Sequence, residues 1–348
     1  MKKPFSNIPL LLLSLLLFSC SPTNMMTLSV TEPAPVYVPS TIHTVGILNR
    51  SNASKQNTLL DNVDKILSAE GKNLDKDGAR KCLLGLRDEL RADSLFTQVK
   101  ILDSIPSSGP GMGVVPTALS WDTVDKICRE GKVDALFELS SYDTDAKIGY
   151  STRNVQVAGP LGVLVPALEH HASVTTTIKT YWRIYDPVNK IIRDELPMNS
   201  WVTSTGVGIN PLKAVEAVMG RKEAVMTESN KIGQNYALRL IPYKIRVARE
   251  YFIRGTDNFK IANRRAQAGD WAGAAELWNK EVSNPKGKVA GRACYNMAIS
   301  NEIDGFLDEA VKWAQKSYSD YNIKLALRYL DMLNYRKARK QELDQQAK

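Results

Sequence analysis

Val174-Thr-Thr-Thr-Ile-Lys-Thr-Tyr-Trp-Arg-Ile184 sets Val174, Thr176, Ile178, Thr180, Trp182 and Ile184 in alternation with more polar neighbours. A period of two predicts a strand with one buried face. Asp186-Pro187-Val188-Asn189 then reads as a turn, and a return arm from Lys190 to about Thr203 places Ile192, Leu196, Met198 and Val202 on one face. Upstream, Ile42 to Leu48, Phe96 to Leu102 and Val133 to Leu139 read as further strands. Helical segments fall between them: 59–69, 76–92 with Ala79, Leu83, Leu86 and Leu90 at helical spacing, and one N-capped by Ser120 that runs through Cys128. Residues 143–170 read as irregular. Within them 158–168 (AGPLGVLVPAL) is broken by Gly159, Pro160, Gly162 and Pro166, so a buried or partly ordered loop is preferred to a membrane-inserting hairpin. Asn210-Pro211 opens a helical region to about Arg254 that Pro242 kinks or breaks. The expected fold over 42–242 is α+β, a mixed sheet with packed helices.

From 243 to 348 the reading changes to all-α. Ala262, Gly269, Trp271, Ala274 and Trp278 recur 36 positions later as Ala298, Gly305, Leu307, Ala310 and Ala314. Alanines let two helices approach closely, and each glycine supplies a permissive turn. The spacing resembles a tetratricopeptide-like repeat pair, with Tyr321 opening a capping helix. Glu281 stands where that repeat carries alanine, and Pro285 comes one place early. Two repeats are few for independent stability, so they are expected to lean on the first domain through a helix at 243–254. The resemblance implies a concave face that grips a partner protein or an extended peptide, and Asn263, Tyr295 and Asn296 are the candidate partner-binding residues.

The amino terminus says where such a protein works. Lys2 and Lys3 precede an apolar run, Leu10 to Phe18, too short to span a bilayer. It ends in Leu17-Phe18-Ser19-Cys20, which resembles the lipobox of bacterial lipoproteins. That resemblance implies a signal peptide over 1–19, lipidation such as palmitate on Cys20, and membrane association through acyl chains worth about 0.8 kcal/mol per buried CH₂. Pro22, Pro33, Pro35 and Pro39 make 20–41 an expected extended tether. No aspartate follows Cys20 and no acidic run comes after it, so an outer-membrane lipoprotein facing the periplasm is expected. The element order, and the tryptophan-led helix before Val133-Asp134-Ala135-Leu136, loosely resemble the amino-terminal domain of envelope lipoproteins such as the curli-secretion channel family and the activators of cell-wall synthases. Together with Gly233-Gln234-Asn235-Tyr236 to Pro242 and Gly269-Asp270-Trp271, the chain resembles a family of uncharacterised outer-membrane lipoproteins of Gram-negative bacteria, which brings no activity with it.

Composition fits a folded body: 348 residues, 43% hydrophobic, 24% charged and a net charge of +9, of which Lys2 and Lys3 leave with the signal. No basic cluster is interleaved with aromatics in a nucleic-acid pattern. Cys82, Cys128 and Cys294 lack metal-binding spacing; one pair can oxidise in a periplasm, but buried thiols are preferred. Asn73-x-Asp75-x-Asp77-Gly78 mimics half a calcium loop, yet Leu84 stands where a glutamate is required. His43, His170 and His171 give no metal-site spacing. The glycine-rich run 107–113 lacks a phosphate-loop lysine, and Asp143 and Asp145 read as turn residues. No enzyme activity, metal or cofactor is expected. The favoured function is a membrane-anchored protein–protein interaction adaptor; the alternative is a subunit of an oligomeric envelope or secretion assembly, with 155–168 as its membrane-facing part.

Overall fold

The computed structural model describes residues 22–51, 73–93, 95–102, 115–158, 162–218 and 220–347. Cys20, the signal segment, the helix expected at 59–69 and the glycine-rich run 107–113 lie outside them. An α/β region with a mixed sheet and packed helices is followed by an all-helical region. Contacts divide the chain into two units: Ala34–Ile241, and the residues up to Pro33 taken together with Pro242–Lys348.

In the first unit β2 (Thr44–Asn49), β3 (Gln98–Leu102), β4 (Ala135–Ala158), β5 (Leu164–Asp186) and β6 (Ile191–Gly208) form one sheet in the order β3-β2-β4-β5-β6. β2 lies parallel to β3 and β4, and the remaining pairs are antiparallel. Alternation assigns the faces. Val45, Ile47, Phe137, Leu139, Ile178, Trp182 and Ile184 pack on one side against α1 (Leu74–Ala92) and α4 (Arg221–Ala237), where Trp182 stacks on Tyr236 at 4.8 Å. Leu48, Leu136 and Tyr185 face the other way, under α2 (Trp121–Gly131). The Ser120 side chain accepts from Thr123 N and caps α2. A short α3 (Pro211–Glu216) covers Ala172 and Val174. Asn73, in the left-handed region at φ 68°, starts α1, with Asp75 and Asp77 in its first turn, a favourable place for acids.

In the second unit β1 (Thr23–Glu32) pairs antiparallel with β7 (Tyr243–Phe252) along their whole length. α5 (Asp257–Gln267), α6 (Trp271–Asn279), α7 (Gly287–Ile303), α8 (Leu307–Ser319) and α9 (Lys324–Gln346) follow. Ala262, Ala274, Ala298, Ala310, Trp278 and Ala314 are all fully buried. Gly269 and Gly305 join successive helices at φ 85° and 83°, a conformation that disfavours any side chain. Glu281 replaces the expected alanine for a structural reason. Its Oε1 accepts from Thr256 (2.8 Å) and Asn258 (2.6 Å) and its Oε2 from Asn284 (2.7 Å), fastening the start of α5 to the end of α6.

Three expectations are corrected. Residues 20–41 are no extended tether throughout, because Met26, Leu28 and Val30 alternate and make 23–32 a strand. Residues 243–254 are no helix: Ile245, Val247, Arg249 and Tyr251 alternate in the same way and form the strand partner of β1. Within 143–170, residues 143–158 and 164–170 are no irregular loop but the far halves of β4 and β5, and Asp143 and Asp145 sit within a strand, Asp145 ion-paired with Lys179.

Candidate functional site

The helical unit was expected to grip an extended peptide, and it grips one of its own. Asn296, fully buried, accepts from Phe252 N (2.7 Å) and donates to Phe252 O (2.7 Å), so one side chain satisfies both backbone groups of a strand residue. Tyr295, 1% exposed, sits between Phe252 and Tyr329 at ring distances of 5.2 and 5.3 Å. Burial pushes its hydroxyl well above the ordinary tyrosine range. Asn263, half-buried, accepts from Tyr251 Oη at 2.8 Å. The structure thus brings all three candidate residues to the β7 side of α5 and α7, where the ribbon occupies them. Asn296 and Tyr295 are buried against the strand and so not free for a second protein, which corrects their assignment to a partner site, while Asn263 stays half-buried beside Tyr251.

A buried ion cluster, missed in the sequence, locks the same ribbon. Glu302 on α7 accepts from Arg249 Nε and Nη2 (both 2.8 Å), Tyr329 Oη (2.6 Å) and Arg336 Nη1 (2.7 Å). Burial alone would raise its pKa, but those donors hold its carboxyl below the usual range. One turn further along α9, Arg339 donates to Glu32 of β1 at 2.8 Å. Beside these pairs lies a cavity of about 390 Å³ lined by Val30, Ile245, Val247, Met332 and Tyr335, with Glu32, Arg249, Asp331 and Arg336 also in its wall.

At the carboxyl end of β2, beside Glu138 among the first residues of β4, a place where open α/β sheets commonly hold ligands, the described polar groups bond to the chain itself. Glu138, fully buried, accepts from Arg50 (2.9 Å) and Ser140 (2.6 Å). Arg183 reaches Pro116 O, Arg50 reaches Thr117 O, and Leu119 N donates to Tyr185 Oη. The three described cysteines are free and buried. Among the described residues no three His, Cys, Asp or Glu side chains gather to hold a metal ion.

The β4–β5 hairpin is an exposed built feature. β6 stops pairing at His170↔Gly208, so the pairs from Arg153↔Glu169 to Ala158↔Leu164 form a two-stranded ribbon, extending about 20 Å at 3.4 Å per residue. No charge occurs between Arg153 and Glu169. Tyr150, Val157, Leu164, Val165 and Leu168 are 39–61% exposed. A bare two-stranded hairpin is marginal in water, and exposed apolar clusters of this kind mark contact surfaces.

The described residues thus form a sheet unit with a projecting hairpin and a helical unit closed on its own strands. The chain belongs to the family of a domain of unknown function, DUF8603, whose model matches residues 42–252. A second domain of unknown function, DUF6340, matches residues 260–337. Among solved structures the chain is similar to the PelC dodecamer from Paraburkholderia phytofirmans, at 10% identity over 63% of this chain and 99% of that one, with a TM-score of 0.23. A singly substituted form of that dodecamer is similar at 12% identity over 62% and 99%, again with a TM-score of 0.23. No match is found among curated proteins. Among the described residues no helix is long and apolar enough to cross a membrane.

Proposed function

We propose that the chain is a lipid-anchored protein of the cell envelope, non-catalytic, that works as a subunit of an oligomeric assembly and docks through the β4–β5 hairpin. The observation that carries this reading is the apolar ribbon beyond β6, uncharged between Arg153 and Glu169 and exposed on both of its faces. The lipobox at Cys20 supports the anchor on an outer membrane, facing the periplasm, and the 36-residue recurrence with its two left-handed glycines supports tetratricopeptide-like repeats. The polar clusters around Glu281 and Glu302 are spent on structure, which supports a role in binding.

The test is mass measurement in mild detergent, with and without residues 155–168 replaced by a two-residue Asn-Gly turn. Oligomer from the native chain and monomer from the shortened one are expected. A monomeric native chain would overturn this reading and transfer it to an adaptor, for which the cavity along α9 is the supporting feature. The anchor is checked separately: labelled palmitate should enter the native protein and not Cys20→Ala.

A further inference from the structure

We propose that the helical unit lies against a bilayer with the end where Pro22 joins the ribbon, and that Arg254, Lys288 and Arg292 there bind the phosphates of anionic lipid headgroups. This rests on the reading of Cys20 as the anchor.

The geometry begins with chain length. Ile253 N donates to Pro22 O at 3.0 Å, so Pro22 is already part of the folded unit. Only Ser21 separates it from Cys20, and the two chain steps from Cys20 to Pro22 span about 7 Å at full extension. A lipid on Cys20 therefore holds this end of the unit at headgroup depth. Charge is arranged to match. Arg292 Nη1 donates to Arg254 O at 2.8 Å, and its guanidinium lies 5.0 Å from the centre of the Phe252 ring. That fixes a cation directly beside the residue that follows Ile253. Burial and the adjacent Arg254 both push the Arg292 pKa down, as expected when like charges share a site. Lys288, exposed, stands one turn earlier on the same face of α7, whose first turn holds no acid.

Nearby carboxylates are engaged elsewhere: Asp257 pairs with Lys260 at 2.9 Å, and Glu281 is held by Thr256, Asn258 and Asn284. Glu250 on β7, opposite Met25, is close enough for its charge to act on Tyr295 and forms no ion pair with Arg254, Lys288 or Arg292. Among the described residues none of the three cations has a carboxylate within ion-pair distance. Three neighbouring cations without counter-charge are unfavourable unless an anion covers them, and phosphates of a lipid surface do so.

The test uses the chain from Ser21 onward, which keeps every described residue and carries no lipid. It is mixed with vesicles of phosphatidylcholine alone, or with about 30% phosphatidylglycerol, and binding is read by sedimentation. Binding should appear only with phosphatidylglycerol, fall about 10-fold or more in Arg254→Gln/Lys288→Gln/Arg292→Gln, and vanish near 0.5 M salt, where the Debye length drops to about 4 Å. Since Arg292 also stacks on Phe252, Arg254→Gln/Lys288→Gln serves as the variant that leaves packing intact, and it should lose about 5-fold. Equal binding to both vesicles would overturn the proposal. So would an equal loss in Lys244→Gln/Arg246→Gln, on the ribbon's outer face. Because the protein in this assay is unlipidated, its outcome is separate from that of palmitate labelling.

Discussion

Replacing Glu302 by alanine is expected to destabilise the helical unit by about 3–5 kcal/mol, the usual cost of stranding a buried charge. Arg249 is the stranded partner, with its side chain only 6% exposed and its two bonds to Glu302 lost together. Tyr329 and Arg336 lose their acceptor as well. Denaturant unfolding followed by tryptophan fluorescence reads the change through Trp271 and Trp278. The pH dependence has a definite sign. A carboxyl held below its unfolded value of about 4.3 contributes stability that is complete above that value and is lost as pH falls through the folded pKa. The gap between native and variant should therefore be widest at neutral pH and close in acid. Removing both charges, as in Arg249→Met/Glu302→Leu, should recover part of the loss, since an apolar pair of similar size substitutes for a buried ion pair at little cost. A single variant within about 1 kcal/mol of native would mean that water reaches Arg249.

This cluster also shows what sequence could and could not reveal. Trp182 and Ile178 alternate with polar neighbours because one face of β5 meets α1 and α4 and the other meets less protein. That asymmetry writes a period of two, so the hairpin with β6 was legible, as were α1, α2 and the helices joined at Gly269 and Gly305. Beyond Asp143 on β4, and in the part of β5 that pairs with it, the strands lose cover on both faces, their sequence has no reason to alternate, and Gly149, Pro160 and Pro166 make the stretch resemble a loop. The strands β1 and β7 did alternate, through Leu28 and Val30 and through Ile245 and Val247, but the prolines around β1 suggested a spacer and the helical run before Pro242 concealed β7. Their partnership, Thr23 with Phe252, spans most of the chain and leaves no local trace. The same limit misassigned Asn296 and Tyr295. A polar and an aromatic residue on an inner repeat helix do signal peptide gripping; composition does not say that the peptide is residues 243–252 of the same chain.

Gly233→Ala should destabilise the sheet unit by about 3 kcal/mol, although alanine is intrinsically the better helix former by 0.5–1 kcal/mol. A Cβ at Gly233 would lie 2.0 Å from Cys82 O and 2.7 Å from Leu86 N, and one at Gly85 would lie 2.0 Å from Asn230 O. α1 and α4 thus touch backbone to backbone through both glycines, and no side chain can swing aside to make room. An added methyl must push the helices apart by an ångström or more. That gap opens beneath Leu83, Leu86, Val225, Ile232 and Tyr236, the layer that seals Trp182 against solvent, so lost contact across the whole layer outweighs the gain in helix propensity. Gly287→Ala is the control: it is also helical, its Cβ would meet only Tyr321 Cδ1 at 3.6 Å, and it should be neutral or stabilising. Denaturant titration of both variants decides the matter, and a Gly233→Ala protein as stable as native would show that α1 and α4 can separate without loosening the face of the sheet that β4 and β5 extend into the hairpin.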